Sequence, residues 1–469
     1  MHYRPQALSH VAANGPGIHG DAFGRLLALS YCTLLAAMPL LLNGHPIFFS
    51  DSGTYLHAFS DADALKHPPL DRPIFYSIYL YVFRALFNTN TAAVIVQCMT
   101  VAFLTYRFLL AISAEGKLSK ILAAFCALLP FSYLAVMAGA LMPDVWLPCA
   151  FLSTCLMLLE RGPKQIIYFI IVTCAISFAP ANGMILASTL AGCLIITSLL
   201  RLRIGKAWRK VLPIAGAVLI GMLLPASNNY YAYGKFTPIV SSSAFLYATL
   251  ARGELTDGAL QKACMTESRS NRICENLNLY TKLEGNYFLW NEKWNEPVWN
   301  IDNQDLLKKA NRIALFNHPF RVILKIIKDA AATMALLPEN LDQLYSVKYD
   351  KTKWAATQLN AYGDMQSFQA SKQQTQTNVF AYLKIYRLLL LLLALAALVL
   401  AFRKKLYGHT GFVVFLLFCL CFILANAIIT GGLSMPDYRY NARALDVAVL
   451  MVFCYALGLP SQPARAKEA

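Results

Sequence analysis

Ten apolar runs separated by polar segments dominate the pattern of the chain. A helix needs roughly 20 apolar residues to cross a hydrocarbon core of about 30 Å. The runs approach or reach that length, so the pattern predicts an all-α polytopic membrane protein, a bundle of about ten transmembrane helices. The predicted spans are 25–44, 92–113, 120–140, 145–160, 165–181, 184–201, 211–227, 380–402, 411–430 and 443–459.

One long polar segment divides these spans into two groups and predicts three parts. Residues 1–227 form an N-terminal transmembrane module that includes a first outer loop at 45–91. Residues 228–379 form a mostly helical module outside the membrane, and residues 380–469 form the C-terminal transmembrane helices. Within the first outer loop, the apolar and aromatic stretch 73–87 predicts a helix lying in the interface; the alternative is one more crossing.

The outer module has the composition of a folded unit rather than a disordered linker. Its tryptophans can form the core of the module or stack on sugar rings; they are Trp290, Trp294 and Trp299. In its later part, residues 305–337 alternate apolar and basic positions at helical spacing. This pattern predicts an amphipathic helix on a membrane surface, broken near Pro319.

Charge sets the predicted orientation. The chain is 57% hydrophobic and 14% charged, with a net charge of +16. Basic residues stay in cytoplasmic loops, and one set of loops holds Arg4, Arg25, Lys117, Lys120, Arg161, Lys164, Arg201, Arg203, Lys206, Arg209, Lys210, Arg403, Lys404, Lys405, Arg465 and Lys467. Both termini are therefore predicted to be cytoplasmic. Because the basic residues are scattered rather than gathered on one face, we expect no nucleic-acid partner.

Most of the twelve cysteines fall inside predicted spans, where they act as small buried hydrophobic residues. Cys264 and Cys274 differ because they lie close together in the outer module, in a compartment that permits disulfides. They can form a bridge or remain free thiols.

Several ionisable residues cluster at the predicted outer ends of spans. Asp51 follows the first span, Asp144 precedes the fourth, and Tyr438-Arg439-Tyr440 precedes the last. Each has a structural alternative: the two carboxylates can cap helices, and Arg439 can anchor the interface. His67 and His318 precede prolines and can shape turns. Ionisable groups near membrane depth are usually functional.

These positions resemble the type C glycosyltransferases, in particular bacterial relatives of protein O-mannosyltransferases and of the lipid A aminoarabinose transferase. The matching pieces are Asp51 to Tyr55, His67 to Leu70, Asn317-His318-Pro319 and Tyr438-Arg439-Tyr440. Ser52 departs from the pattern, because many relatives carry a second acidic residue there, and the insertion Asp71-Arg72-Pro73 is also unusual.

The resemblance implies transfer of a sugar from a polyprenyl phosphate to a lipid, glycan or protein acceptor outside the membrane, with inversion. Such a transfer needs a base for the incoming hydroxyl and cationic groups for the departing phosphate. Asp51 suits the base and Asp144 a second carboxylate. Arg439 suits the phosphate, with Arg72 or Arg443 as a further ligand.

The remaining substrate-binding candidates are Tyr438, Tyr440, His67 and His318. Asp61-Ala62-Asp63 forms a D-x-D triplet that can bind a divalent cation, although such triplets are common by chance. The chain has no Asn-x-Ser/Thr sequon, which favours the inner membrane of a bacterium, with the site on its periplasmic face.

Two alternative functions differ from this prediction. A transporter or a flippase for lipid-linked oligosaccharides typically shows paired repeats or ionisable residues at mid-membrane; this chain shows neither clearly. An O-antigen ligase or polymerase shares the lipid-linked donor and is distinguished by transfer of a long glycan rather than a single sugar.

Overall fold

The computed structural model describes residues 22–57, 68–113, 118–201, 208–266, 271–282, 285–290, 297–336, 359, 365–376, 380 and 385–459. These ranges are almost entirely helical and contain no strand, apart from one isolated bridge. The all-α prediction is therefore confirmed for the described part of the chain.

The described residues up to position 233 form eleven α-helices. They are α1 (Ala22–Ala36), α2 (Met38–Asn43), α3 (Ser52–His57), α4 (Ile74–Phe87), α5 (Thr91–Ile112), α6 (Leu118–Leu128), α7 (Tyr133–Ala138), α8 (Trp146–Leu159), α9 (Gln165–Phe178), α10 (Ala181–Leu199) and α11 (Trp208–Tyr233). The asparagine at 88, which has positive φ, ends α4 and separates it from α5.

The remaining helices belong to the outer module and the C-terminal part. They are α12 (Ser242–Ala251), α13 (Ala259–Met265), α14 (Arg272–Glu275), α15 (Leu277–Tyr280), α16 (Gly285–Trp290), α17 (Ile301–Asn317), α18 (Pro319–Ala335), α19 (Met365–Ala370), α20 (Lys372–Thr375), α21 (Tyr386–Arg403), α22 (Thr410–Asn426), which continues as a π-helical segment at Ala427–Gly432, and α23 (Tyr438–Gly458).

Among the described residues, five helical segments are long and apolar enough to cross a membrane: Thr91–Ile112, Ala181–Leu199, Lys210–Tyr233, Thr410–Gly432 and Tyr438–Gly458. Further apolar helices, among them α1, α8, α9 and most of α21, are shorter. The chain is a membrane protein by this criterion, and the number of ten spans stays a prediction.

The predicted span 120–140 is not one helix. It is split into α6, a 3₁₀ turn at Leu129–Phe131 and α7. Pro130 lies in the turn, and the Ser132 hydroxyl accepts a hydrogen bond from the Ala135 amide to begin α7. The buried Asp446 carboxylate of α23 accepts a second one, 2.7 Å from the Leu134 nitrogen.

The helices of the outer module share an apolar core that includes Tyr247, Tyr280 and Phe288. Cys264 and Cys274 are joined in a disulfide, which answers the question that the sequence left open. Helix α17 ends at Asn317 and α18 begins at Pro319, so the predicted break is confirmed.

Candidate active site at the ends of the helices

The isolated backbone bridge sets the position of both predicted carboxylates. Ile47 and Ala140 pair in parallel; the Ile47 amide donates to the Gly139 carbonyl and the Leu141 amide to the Ile47 carbonyl, each over 2.9 Å. Asp51 and Asp144 each follow their bridge residue by four positions. The two segments therefore leave the bridge in the same direction and carry both carboxylates to the same side of the molecule.

A glutamine of the outer module holds the other edge of the Asp51 segment. The Gln373 side chain accepts from the Phe48 amide (3.1 Å) and donates to the Phe48 carbonyl (2.6 Å). Its own backbone amide donates to the Asn43 side chain over 2.7 Å. The backbone before Asp51 is therefore fixed by hydrogen bonds on both edges, and sequence analysis missed Gln373.

Asp51 lies between two guanidinium groups. Its Oδ2 atom is 3.1 Å from Nη2 of Arg72 and 3.1 Å from Nη2 of Arg439. Among the described residues, the cations paired with this carboxylate are these two guanidinium groups.

Asp144 is buried in a 3₁₀ turn, Pro143–Val145, and pairs with the last helix. Its Oδ1 atom is 3.0 Å from Nη1 of Arg443, and its Oδ2 atom is 3.9 Å from Nε of Arg439. Arg439 consequently lies between the two carboxylates. We refer to Asp51, Asp144, Arg72, Arg439 and Arg443 as the charge cluster.

Helix α23 begins at Tyr438, five residues before the start of the predicted span at 443. Arg439 and Arg443 therefore lie on the same helix. The Asp437 side chain accepts from the Arg439 amide over 2.8 Å and caps the helix, which starts at Tyr438. Arg439 and Arg443 are then one turn apart and share a helix face. The Tyr440 ring lies 5.5 Å from the Arg439 guanidinium and 5.0 Å from that of Arg443.

Arg443, which the sequence offered only as an alternative phosphate ligand, also has a neutral partner. Its Nε atom donates to Asn426 Oδ1 over 3.3 Å, and Asn426 Nδ2 donates to the Tyr440 carbonyl over 2.6 Å. The end of α22 thereby holds the start of α23. The spacing of four residues from Arg439 was the signal that could have placed Arg443 in the site.

The hydrogen bonding of Arg439 is incomplete. The three guanidinium groups of the cluster face its two carboxylates, and the Asp71 and Asp437 carboxylates also act on Arg72 and Arg439. Arg439 Nε and Nη1 are buried and have no hydrogen-bond acceptor within the described residues. Buried donors are normally satisfied, and a guanidinium binds oxyanions strongly. The site is therefore suited to an anionic ligand.

The surroundings shift the pKa of two acidic groups outside the helices that can span the membrane. Burial of Asp51 acts to raise its pKa, but the Arg72 and Arg439 guanidinium groups outweigh burial and lower it to about 2. Burial raises the pKa of Asp71, against the opposing effect of Arg72. Asp51 is therefore ionised throughout the physiological pH range.

The structure places the other candidates less centrally. Tyr438 begins α23 and packs partly against the main core. His318 lies at the joint between α17 and α18, and no hydrogen bond or ion pair of the charge cluster involves it within the described ranges. His67, Asp61 and Asp63 lie outside the described residues. In the part that is described, no group of three or more His, Cys, Asp or Glu side chains could hold a metal ion.

Comparison of the chain with family models, with characterised proteins and with solved structures found no match.

Proposed function

We propose that the protein is a membrane glycosyltransferase that moves a sugar from a polyprenyl phosphate to a lipid, glycan or protein acceptor, with inversion. The observation that carries the proposal is the position of Arg439, which lies between two carboxylates and whose buried Nε and Nη1 atoms have no hydrogen-bond acceptor among the described residues. A phosphate supplies the missing acceptors, and a carboxylate beside it can receive a proton.

In the proposed reaction, the acceptor hydroxyl attacks the anomeric carbon of the donor. The new C–O bond forms as the bond between that carbon and the phosphate oxygen breaks, and the polyprenyl phosphate leaves with the electron pair. Asp51 takes the proton of the hydroxyl, while Arg439 and Arg72 stabilise the charge that develops on the phosphate. Asp144, which pairs with Arg443, positions Arg439 and the acceptor.

A carboxylate whose pKa is about 2 is a weak base. Binding of the donor makes Asp51 a stronger base, because the donor phosphate competes with Asp51 for the Arg72 and Arg439 guanidinium groups. Loss of those partners raises the pKa of Asp51 towards its ordinary value of about 4. The base is then strongest when the donor is bound.

We further propose that the protein lies in the inner membrane of a bacterium, with about ten spans, both termini cytoplasmic and the charge cluster at the periplasmic face. The basic loops support this orientation. The disulfide between Cys264 and Cys274 supports it as well, because disulfides persist in oxidising compartments. In the same orientation α18, which exposes Phe320, Leu324 and Ile327, lies against the outer leaflet.

Binding of a polyprenyl phosphate to the purified protein in nanodiscs tests the phosphate site. We expect the native protein to prefer this lipid to the polyprenol of equal length, and Arg439→Gln to lose the preference. Arg403→Gln, which removes an exposed arginine at the other end of a span, is the matched control. Equal binding of both lipids by the native protein would contradict the proposal and would favour an assay of transport.

The transfer reaction is tested in membranes by mass spectrometry of lipid-linked sugars. Asp51→Asn keeps the size of the side chain but removes the base, so we expect transfer to fall by about 100-fold or more. One lipid-linked sugar should accumulate in this variant and in a strain without the protein. Unchanged lipid pools in both strains, with expression of the native protein verified, would exclude the transferase.

A further inference from the structure

Trp290 is an aromatic residue of the outer module that remains exposed at the edge of the charge cluster. It is 40% exposed, whereas Tyr247 is 1% exposed and Phe288 is 0% exposed. Ligand sites combine aromatic side chains with a few polar or charged groups, as Trp290 and the charge cluster do here.

Arg72 connects Trp290 with the charge cluster. The Arg72 guanidinium lies 5.7 Å from the centre of the Trp290 ring, and the same group is 3.1 Å from Asp51. The indole and the carboxylate that we propose as the base therefore contact the same guanidinium group. The contact between guanidinium and indole is a cation–π interaction.

The Trp290 indole also packs against other aromatic rings of the outer module. The Trp299 ring lies 5.1 Å from that of Trp290, and Phe245 lies 5.7 Å from Trp299. Trp299 is fixed because its Nε1 donates to the Leu289 carbonyl over 3.0 Å. A preorganised aromatic ring loses little conformational entropy when a ligand stacks on it.

We propose that the exposed part of Trp290 and the Arg72 guanidinium together bind the sugar of the donor. The C–H face of a pyranose packs on the indole, and its hydroxyls accept hydrogen bonds from the guanidinium. This inference rests on the proposed function, since it names the subsite for the group that is transferred. It assigns Trp290 to the ligand rather than to the core of the outer module.

The test separates the sugar from the phosphate. Dissociation constants are measured in nanodiscs for a polyprenyl phosphate and for the same lipid carrying one hexose. The ratio of the two constants reports what the sugar adds. For the native protein we expect the sugar to tighten binding by roughly three- to tenfold, the range typical of aromatic stacking.

Trp290→Ala should bring the ratio of the two dissociation constants to one, because the sugar no longer adds to binding. The affinity of this variant for the bare polyprenyl phosphate should stay within about twofold of native. Trp290→Phe should retain part of the ratio and guards against misfolding of the alanine variant. Tyr407→Ala, which removes an exposed aromatic side chain far along the chain from the cluster, should behave as native.

Three results would overturn the inference. In the first, the native protein binds both lipids with the same dissociation constant. In the second, Trp290→Ala still binds the sugar-carrying lipid more tightly. In the third, Trp290→Ala weakens the binding of both lipids equally, which would make Trp290 a positioning residue for Arg72. Failure of the native protein to bind either lipid would instead refute the proposed phosphate site, and the sugar subsite with it.

Discussion

Asp51 and Asp144 play different parts although both are paired with arginine. Asp51 shares one oxygen between two guanidinium groups, so a ligand that attracts those groups can release it. Asp144 is buried, and its close pair with Arg443 is supported by Asn426. The first carboxylate is suited to chemistry and the second to holding the site together.

The lowered pKa of Asp51 predicts an acid-dependent stability. A carboxylate whose folded pKa is about 2 and whose unfolded pKa is about 4 stabilises the fold above pH 4 and loses this effect as the pH falls through 2. The difference in Tm between the native protein and Asp51→Asn should therefore shrink between pH 5 and about 2. Thermal unfolding in detergent measures it, and a difference independent of pH would contradict the pairing.

Arg443→Met should destabilise the protein because it leaves Asp144 buried without its partner at 3.0 Å. Removal of one member of a buried pair costs about 3 to 5 kcal/mol. Adding Asp144→Asn should restore much of this loss, because the unpaired charge is then gone. A double-mutant cycle of unfolding free energies measures the coupling, and simple additivity of the two changes would show that the pair contributes nothing.

Of the residues in the candidate site, the sequence identified those that lie at the ends of apolar runs. Asp51, Asp144 and Arg439 were found because they stand at the ends of apolar runs. Gln373 could not be found, because its partner Phe48 is 325 positions away and a glutamine that binds backbone groups has no local pattern. The pairing of Asp144 with Arg443 likewise depends on a contact between distant segments.

Among the helices, the close fit of α18 against the end of α22 depends on two glycines. A Cβ atom at Gly431 would collide with the Thr333 side chain, and one at Gly432 would lie 2.8 Å from Ile326 Cγ2. The same surface is secured by Asn441 of α23, which donates to the Met334 and Leu336 carbonyls over 3.1 Å and 2.6 Å. Helix α18 therefore packs against α23, which carries Arg439 and Arg443, and against the end of α22, which carries Asn426.

Gly431→Ala should separate α18 from the π-helical segment and lower the Tm, since the Thr333 side chain and the Asp329 carbonyl leave no room. The matched control is Gly192→Ala, where the nearest atom to a new Cβ is Cys421 Sγ at the ordinary distance of 3.5 Å. Differential scanning fluorimetry compares the two variants. An equal Tm for both would show that α18 does not need the close contact.

The sequence predicted where helices occur better than where they break. Apolar runs gave α5, α10 and α22 within a few residues, and Pro319 gave the boundary between α17 and α18. The interruption at 129–132 was missed because apolar composition continues through it. The early start of α23 was missed because its first turn carries polar residues that hydropathy assigns to a loop.

For the whole molecule, the disulfide is expected to stabilise the outer module without changing the charge cluster. Cys264 and Cys274 are separated by 10 positions, and closing a loop of this size contributes about 3 kcal/mol. Replacing both with serine should speed proteolysis within the outer module and leave the binding of polyprenyl phosphate unchanged. Loss of lipid binding in that variant would mean that the cluster needs the module intact.

The predicted orientation also has a direct test. A reporter that is active only outside the cytoplasm should be active when fused after residue 233 and inactive when fused after residue 201, because the basic loop near 201 is expected to stay inside. The reverse result would place the charge cluster at the cytoplasmic face. Such a result would exclude a periplasmic acceptor.

The spacing of the two carboxylates depends on the number of residues between each of them and the bridge of Ile47 with Ala140. It depends less on the identity of the side chains between them. One residue inserted between positions 47 and 51 would displace Asp51 alone, and one inserted between 140 and 144 would displace Asp144 alone. Changes in loop length elsewhere leave this spacing untouched. The outer loops can therefore change in length while those two four-residue steps stay constant.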